Sequence, residues 1–424
     1  MAKNALLSAV VSVLLLAGCG ADHAEGIQAP ELLRAVPSDA LAVMCFDRCD
    51  RGFECALDST DALNGLSLGH LSSARAVIAM DNVGSLERLL VLDAGRAAAD
   101  TSDQVRDILG QSDRTGLSIA FVAGSDSTIN RNVILASRSG TVVSVARRHI
   151  VSGTSILDAP GFTDAFSRAS SGRDIMVLRN SGADRLLAPE TLNAYFPQKK
   201  LRAFLRGTAD WTLVDASEAH KSRFSVRECC ADSPKYFANV LAKAAPADSR
   251  IGELVPEDVE FILDLPVADR AAYREAYELW LDASSSLDSY RKKLKSLCAE
   301  SGKDPLAWEK EIGVREVARV CMGCGSLTMV RAARCPKIPA VEANPYRGFI
   351  PALFGSAFAS ASDSCAVTVR DWLVTGSAES LGAFMEESGT PGIELPGSST
   401  LTVYCPAFTL SGNRNDFSLI VNKI

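Results

Sequence analysis

Leu33-Arg34-Ala35-Val36-Pro37-Ser38-Asp39 is answered later in the chain by Gly252-Glu253-Leu254-Val255-Pro256-Glu257-Asp258. In both stretches Val-Pro-x-Asp leads into an apolar run, Ala40 to Phe46 and Val259 to Leu265. Proline fixes φ and has no N–H for a ladder, so the motif reads as a turn that launches a strand. Asp39 and Asp258 then bond nearby turn amides; a matched pair of functional carboxylates is the alternative use. A second match sets His149-Ile150-Val151-Ser152-Gly153-Thr154 against Trp372-Leu373-Val374-Thr375-Gly376-Ser377, each followed by a phenylalanine, Phe162 or Phe384. It reads as a strand ending in a glycine turn, with a helix beginning at Ser155 or Ser377. On this alignment His149 takes the place of Trp372, a packing position. The same order at similar spacing predicts one unit used twice.

Between these motifs short apolar runs recur at Ala76 to Met80, Leu89 to Asp93, Leu117 to Ala123, Asn132 to Ala136 and Thr141 to Val145. Gly, Asp, Asn and Ser separate them, the pattern of strands in a mostly antiparallel sheet. Ser102-Asp103 caps a helix carrying Val105, Ile108 and Leu109. The longest helical signal runs from Ala268 to Gly302. It has Tyr273, Tyr277 and Trp280 on one face, a break at Ser284-Ser285-Ser286, then Leu287, Tyr290, Leu294 and Leu297. Asp304-Pro305 opens another helix with Trp308 and Ile312, stopped by Gly313. The fold class is therefore α+β, a duplicated β-rich unit with a helical hairpin inserted in the second copy. The first unit covers 31–245 and the second 246–424, with the insertion at about 267–320. Ala244 to Arg250 and Pro336 to Tyr346 read as linkers.

At the N-terminus Lys3 precedes an apolar run, Ala5 to Leu16, of signal-peptide length and too short to span a bilayer comfortably. It ends in Leu16-Ala17-Gly18-Cys19. These four residues resemble the lipobox of bacterial lipoproteins, which makes 1–18 the signal peptide and Cys19 the lipidated N-terminal residue. An ordinary cleaved signal or an uncleaved signal anchor would use the same apolar run. Two or three acyl chains on one cysteine hold a protein on a membrane where a single chain does not. Residues 19–30 then form a small, polar tether. The 424 residues carry a formal charge of −7, with no long basic cluster, which argues against nucleic acid and against adhesion of the folded part to anionic lipid.

Twelve cysteines are many for a chain of this size. With Cys19 lipidated, an odd set remains: Cys45, Cys49, Cys55, Cys229, Cys230, Cys298, Cys321, Cys324, Cys335, Cys365 and Cys405. Irregular spacing fits free thiols used as small apolar side chains, and an envelope that does not rely on disulfides. Cys321-Met322-Gly323-Cys324, following a helix-like Val314 to Val320, is the sharpest candidate for metal or redox chemistry. Cys335 would be a third ligand and Cys298 a fourth. Cys45, Cys49 and Cys55 lack a fourth partner, and the four histidines, His23, His70, His149 and His220, are scattered.

No HExxH, GxSxG or GxxxxGK[ST] motif is present. These patterns imply no metal, no cofactor and no catalytic residue. Asp58-Ser59-Thr60 and Asp126-Ser127-Thr128 resemble the O-glycosylation triplet of exported Bacteroidota proteins, which would modify Ser59 and Ser127; a turn or cap explains them equally. Together with the lipobox and the Val-Pro-x-Asp openings, they resemble envelope lipoproteins of the Bacteroidota, a resemblance that implies no activity. The expected function is binding or scaffolding on the outer membrane, held on membrane lipid through acylated Cys19, with another envelope protein, a polysaccharide or a peptide as the partner. A hydrolase with dispersed residues, or a subunit of an outer-membrane assembly, is the alternative. Purified protein should hold no stoichiometric zinc or iron. Cys321→Ala with Cys324→Ala should cost on the order of 1–2 kcal/mol in denaturant unfolding, whereas unfolding by a chelator would make these thiols ligands.

Overall fold

A computed structural model describes residues 31–46, 66–67, 74–81, 87–95, 102–126, 128–129, 131–169, 175–182, 207–215, 223–230, 232–323, 325–360, 362–387, 392–406, 408–413 and 416–421. Cys19, Cys49, Cys55, Cys324, His23, His70, His220, Ser59 and Ser127 lie outside them. The fold is α+β with antiparallel sheets, in two compact units, Met1–Leu192 with Ala209–Ala231 and Asn193–Thr208 with Asp232–Ile424.

The first unit holds β1 (Ala42–Phe46), β2 (Ala76–Asp81), β3 (Glu87–Asp93), β4 (Ser118–Val122), β5 (Val133–Ser137), β6 (Ile175–Arg179), β7 (Trp211–Asp215) and β8 (Arg223–Cys229). Within the unit they pair antiparallel in the order β4-β5-β3-β2-β1-β6-β7-β8. Period-2 alternation places Val43, Cys45, Val77, Ala79, Leu89, Val91, Val133, Leu135, Val177 and Leu213 in one core. Over that face lie α2 (Gly140–Ser152), through Val142, Val143, Ala146 and Ile150, and α3 (Phe162–Ser167), through Phe162 and Phe166; α1 (Ser102–Leu109) precedes β4. Trp211 meets Phe162 edge-on at 5.2 Å and donates its indole N–H to the Pro160 carbonyl at 2.9 Å. Met44, Ile78, Leu90, Leu92, Ile134 and Met176, on the other face, are buried too, so these strands read as near-continuous apolar runs.

The second unit holds β10 (Phe261–Pro266), β11 (Val314–Met322), β12 (Gly325–Ala332), β13 (Glu342–Ala343), β14 (Cys365–Val369), β15 (Trp372–Gly376), β17 (Leu401–Cys405), β18 (Phe408–Asn413) and β19 (Asp416–Val421). They pair as β13-β14-β15-β12-β11-β10-β17-β18-β19. A separate ribbon joins β9 (Ala247–Asp248) to β16 (Ser398–Ser399). Leaving aside the two-residue β13, both sheets run fourth, fifth, third, second, first, sixth, seventh, eighth in chain order. Pro37 and Pro256 enter the first strand of this order identically. The Ala40 N–H bonds to the Pro37 carbonyl at 3.2 Å, and the Val259 N–H to the Pro256 carbonyl at 3.3 Å.

The second sequence match does not align. His149 to Ser152 is the last turn of α2 and Gly153 its left-handed cap (φ 77°), whereas Trp372–Gly376 is β15. The counterpart of β15 is β5, so His149 does not stand where Trp372 does. Thr141 to Val145 belongs to α2 as well, because Ser139 caps it and Val142, Ala146 and Ile150 recur at helical spacing. Ser377 opens a helix, α9 (Ala378–Glu387), accepting from Ser380 N at 3.1 Å.

The helical insertion is α5 (Arg270–Ala283), α6 (Leu287–Ser301) and α7 (Pro305–Ile312), with Asp304 capping α7 and Gly313 ending it in the left-handed region. It stops at Ile312, since Val314–Met322 pairs on both sides as β11 and is not helical. The boundary expected at 245/246 moves to 231/232. There α4 (Phe237–Lys243) belongs to the second unit, with Phe237 edge-on to Trp280 at 5.3 Å and near Phe358. Neither expected linker is free. Ala247 and Asp248 form β9, and Ile338 N bonds to Thr368 Oγ1 at 3.0 Å while Glu342–Ala343 pairs with β14. Tyr273, Tyr277 and Phe354 stack, and Trp308 is enclosed by Tyr346 and Phe349 of α8 (Phe349–Leu353). No helix among the described residues is long and apolar enough to cross a membrane. Trp308→Ala should lower stability by about 3–5 kcal/mol, measured as a lower urea midpoint of the second unit's helical signal.

Candidate functional site

Asp264 and Glu316 break the apolar runs of β10 and β11, and both are 0 % exposed. Strand parity puts them on the face that carries Ile262, Ala318, Val320 and Met329. A bulge between Val314 and Glu316 precedes the glutamate in β11. Glu316 Oε1 accepts the N–H groups of Arg250 (2.8 Å) and Ile251 (2.9 Å), which open the 3-10 turn before Val255-Pro256. Its other oxygen makes an ion pair with Arg331 Nε at 3.2 Å. Asp264 faces Glu316 and Ser249, and neither of its oxygens receives an ordinary hydrogen bond. A carboxyl beside a carboxylate gains a bond only by holding a proton. Burial, then the Glu316 charge, raises the Asp264 carboxyl well above the carboxylate range. Burial raises Glu316 as well, restrained by the Arg250 and Ile251 N–H groups and Arg331. The proton therefore resides on Asp264, and Glu316⁻ with Arg331⁺ leaves the cluster neutral. Across β10, Asp264 pairs with Thr402, whose hydroxyl links Ser399 and Ser411 at 3.0 Å each.

The same place in the first unit carries the opposite sign. There Asp93 ends β3 and pairs with Arg131, which reaches Glu31 of the 3-10 turn before Val36-Pro37 at 3.7 Å. Both clusters tie the turn to the sheet. With no surface, the Asp264–Glu316 pair offers nothing to a substrate; its chemistry is structural.

An open site lies between α4 and α5. Asp232, Pro234, Tyr236, Asn239, Val240, Lys243, Ala272, Glu275, Ala276 and Leu279 line a groove of about 340 Å³, within the size range of ligand sites. Its apolar strip is Val240, Ala272, Ala276 and Leu279, the last 54 % exposed. Lys235 Nζ sits 4.4 Å from the centre of the Tyr236 ring and covers one of its faces.

The residues singled out by sequence are dispersed. Asp39 and Asp258 are exposed turn residues. Cys45 is in the first unit's core, where burial pushes its thiol up to about 12, as it does for Cys229. Cys335 is pushed up to about 11 by burial. Cys321 is the penultimate residue of β11, and burial raises its thiol despite Arg319 and Ser326. Cys45, Cys229, Cys230, Cys298, Cys321, Cys335, Cys365 and Cys405 are in no disulfide, and no three His, Cys, Asp or Glu side chains among the described residues group as metal ligands. His149 closes its helix, with Nδ1 2.8 Å from the Thr154 carbonyl. Sequence reasoning missed Asp264 and Glu316, although a single acid inside an otherwise apolar strand (Phe-Ile-Leu-Asp-Leu) was the available signal. No family model, curated protein or solved structure matches the chain.

Because Asp264 binds its proton more tightly folded than unfolded, its contribution to stability is full at low pH and is lost as pH rises through its raised value. Asp264→Asn should flatten that decline above about pH 4, read as the slope of urea-unfolding free energy against pH. Glu316→Gln, which leaves Arg331 without its carboxylate, should instead cost about 3–5 kcal/mol in the same titration.

Proposed function

We propose that this protein is a lipid-anchored module of the cell envelope, held on the outer membrane through Cys19, whose folded part binds another envelope protein and catalyses nothing. The groove between α4 and α5 carries this reading. It is open, it has an apolar strip, and it stands on a rigid aromatic layer in which Phe237 of α4 and Trp280 of α5 lock together. The partially covered Tyr236 ring and the aliphatic strip favour apolar side chains of a protein segment over a sugar, whose rings stack on open aromatic faces. Two further features support binding over catalysis: the paired acid cluster is sealed, and the thiols whose values move are raised away from the nucleophilic thiolate. The shared strand order supports descent of both halves from one duplicated unit. Leu16-Ala17-Gly18-Cys19 supports the anchor.

Two measurements test the reading. Cys19→Ser should move the protein from carbonate-washed membranes to the soluble fraction or leave uncleaved precursor; retention equal to the unaltered protein would remove the anchor. A photo-reactive residue at position 279 should cross-link one discrete envelope protein in living cells, and Ala276→Trp, which fills the groove, should abolish that product. Cross-linking to glycan alone would replace the protein partner with a polysaccharide, and an Ala276→Trp variant that cross-links undiminished would sink the groove.

A further inference from the structure

We propose that Asn180, Thr212 and Glu228 form a proton-binding ring in the first unit, closed while Glu228 is protonated and broken when its proton leaves, so that the joint of β6, β7 and β8 responds to pH. This goes beyond the anchor and the groove and depends on neither.

Thr212 on β7 is the register partner of Glu228 on β8, and Asn180 follows the last residue of β6. Thr212 Oγ1 lies 2.7 Å from Asn180 Oδ1 and 3.1 Å from both oxygens of Glu228. Asn180 Nδ2 lies 3.1 Å from Glu228 Oε2. Three side chains thus make three mutual contacts, and each contact needs one hydrogen. The amide nitrogen facing the ring supplies one and the threonine hydroxyl one. The third has to come from Glu228. Exchanging the amide's oxygen and nitrogen does not alter the count, since the amide still gives one hydrogen to the ring. A protonated Glu228 donates to Thr212, Thr212 to Asn180, and Asn180 back to Glu228. An ionised Glu228 leaves one of the three contacts as two facing acceptors.

The surroundings keep the proton there. Leu178, Val214 and Val226 share this face of the three strands by parity. Arg179, Arg227, Asp215 and Cys229 turn the other way, and Cys230 follows the end of β8. Arg179 lies over the Trp211 ring at 4.6 Å, Arg227 reaches the Arg168 carbonyl, and Asp215 and Cys229 stand in register with Ile175 and Trp211 of the opposite face. Asp210, just before β7, meets the ring's base through its carbonyl, which accepts the Asn180 N–H at 3.0 Å. Burial is the largest influence on Glu228 and pushes it up to about 7, opposed by the hydrogen bonds of Asn180 and Thr212. The ring is therefore poised near neutrality, and above its midpoint the broken form gains tenfold per pH unit.

Infrared difference spectra of the full chain across the neutral range test this. A protonated-carboxyl band should fade with a midpoint near 7 and be missing from Glu228→Gln, whose amide can close the ring without titrating. Thr212→Val, which removes the hydroxyl shared by two of the ring's three contacts, should shift the midpoint. After correction for intrinsic rates, amide exchange at Leu213 and Val226 should speed up above the midpoint in the unaltered protein and stay flat in Glu228→Gln. The proposal fails if Glu228→Gln keeps the band and Asp264→Asn removes it, if Thr212→Val leaves the midpoint in place, or if exchange is equally flat in both proteins. Should Glu228→Gln not fold, the Thr212→Val midpoint decides alone.

Discussion

Glu316 is a carboxylate without exposed surface, and the second unit is arranged around the donors that hold it there. Removing such a group from water costs several kcal/mol unless its lone pairs are occupied and its charge opposed. Two backbone N–H groups of the 3-10 turn occupy one oxygen, and Arg331 opposes the charge at the other. The consequence is topological. The turn that delivers the chain into β10 is fastened to β11 and β12, so the first strand in sequence enters the middle of the sheet at a fixed height. A one-residue slip of β10 would turn Asp264 away and set an apolar side chain against Glu316.

The first unit solves the same problem with the charges exchanged. Asp93 stands on the third strand where the second unit has Arg331, and Arg131 and Glu31 complete a more exposed chain of ion pairs to its own 3-10 turn. Where the second unit buries Asp264 on the central strand, the first has Cys45, a small uncharged thiol, and no carboxyl there. The fastening recurs while its chemistry differs. That is expected of an interaction whose requirement is geometric, a link between turn and sheet, with no ligand to satisfy.

The two units differ more in what they add to the sheet. The first covers one face with α2 and α3; the second inserts α5, α6 and α7 between its first two strands and draws α4 onto them. A carboxyl in each unit is raised by loss of water, the buried Asp264 in one and the half-buried Glu228 in the other. The groove is different in kind, because it sits on α4 and α5 of the second unit and leaves an aliphatic strip uncovered. The inserted helices carry the groove, while the strand order beneath them is the one both units share.

Local chemistry made much of this legible in the residues. The Val-Pro turns, the first strands they launch, the helical run from Ala268, the capped helix from Asp304, and the α+β class all follow from φ restriction, capping and periodicity, which act over a few residues. The reading failed wherever short-range signals agree with two structures. Val142, Val143 and Ile150 are β-branched yet helical, since Ser139 caps the segment and the sheet below takes a helical stripe; Val314 to Val320 carries helix-compatible spacing yet lies between two strands. The Asp264–Glu316–Arg331 cluster joins three strands, the Asn180–Thr212–Glu228 ring joins three more, and the groove joins helices separated by the whole of β10. Sequence alone determined which segments turn, cap and alternate. Only the tertiary structure decided which buried acids meet, because proximity across a sheet depends on strand order, and strand order leaves no periodicity in the chain.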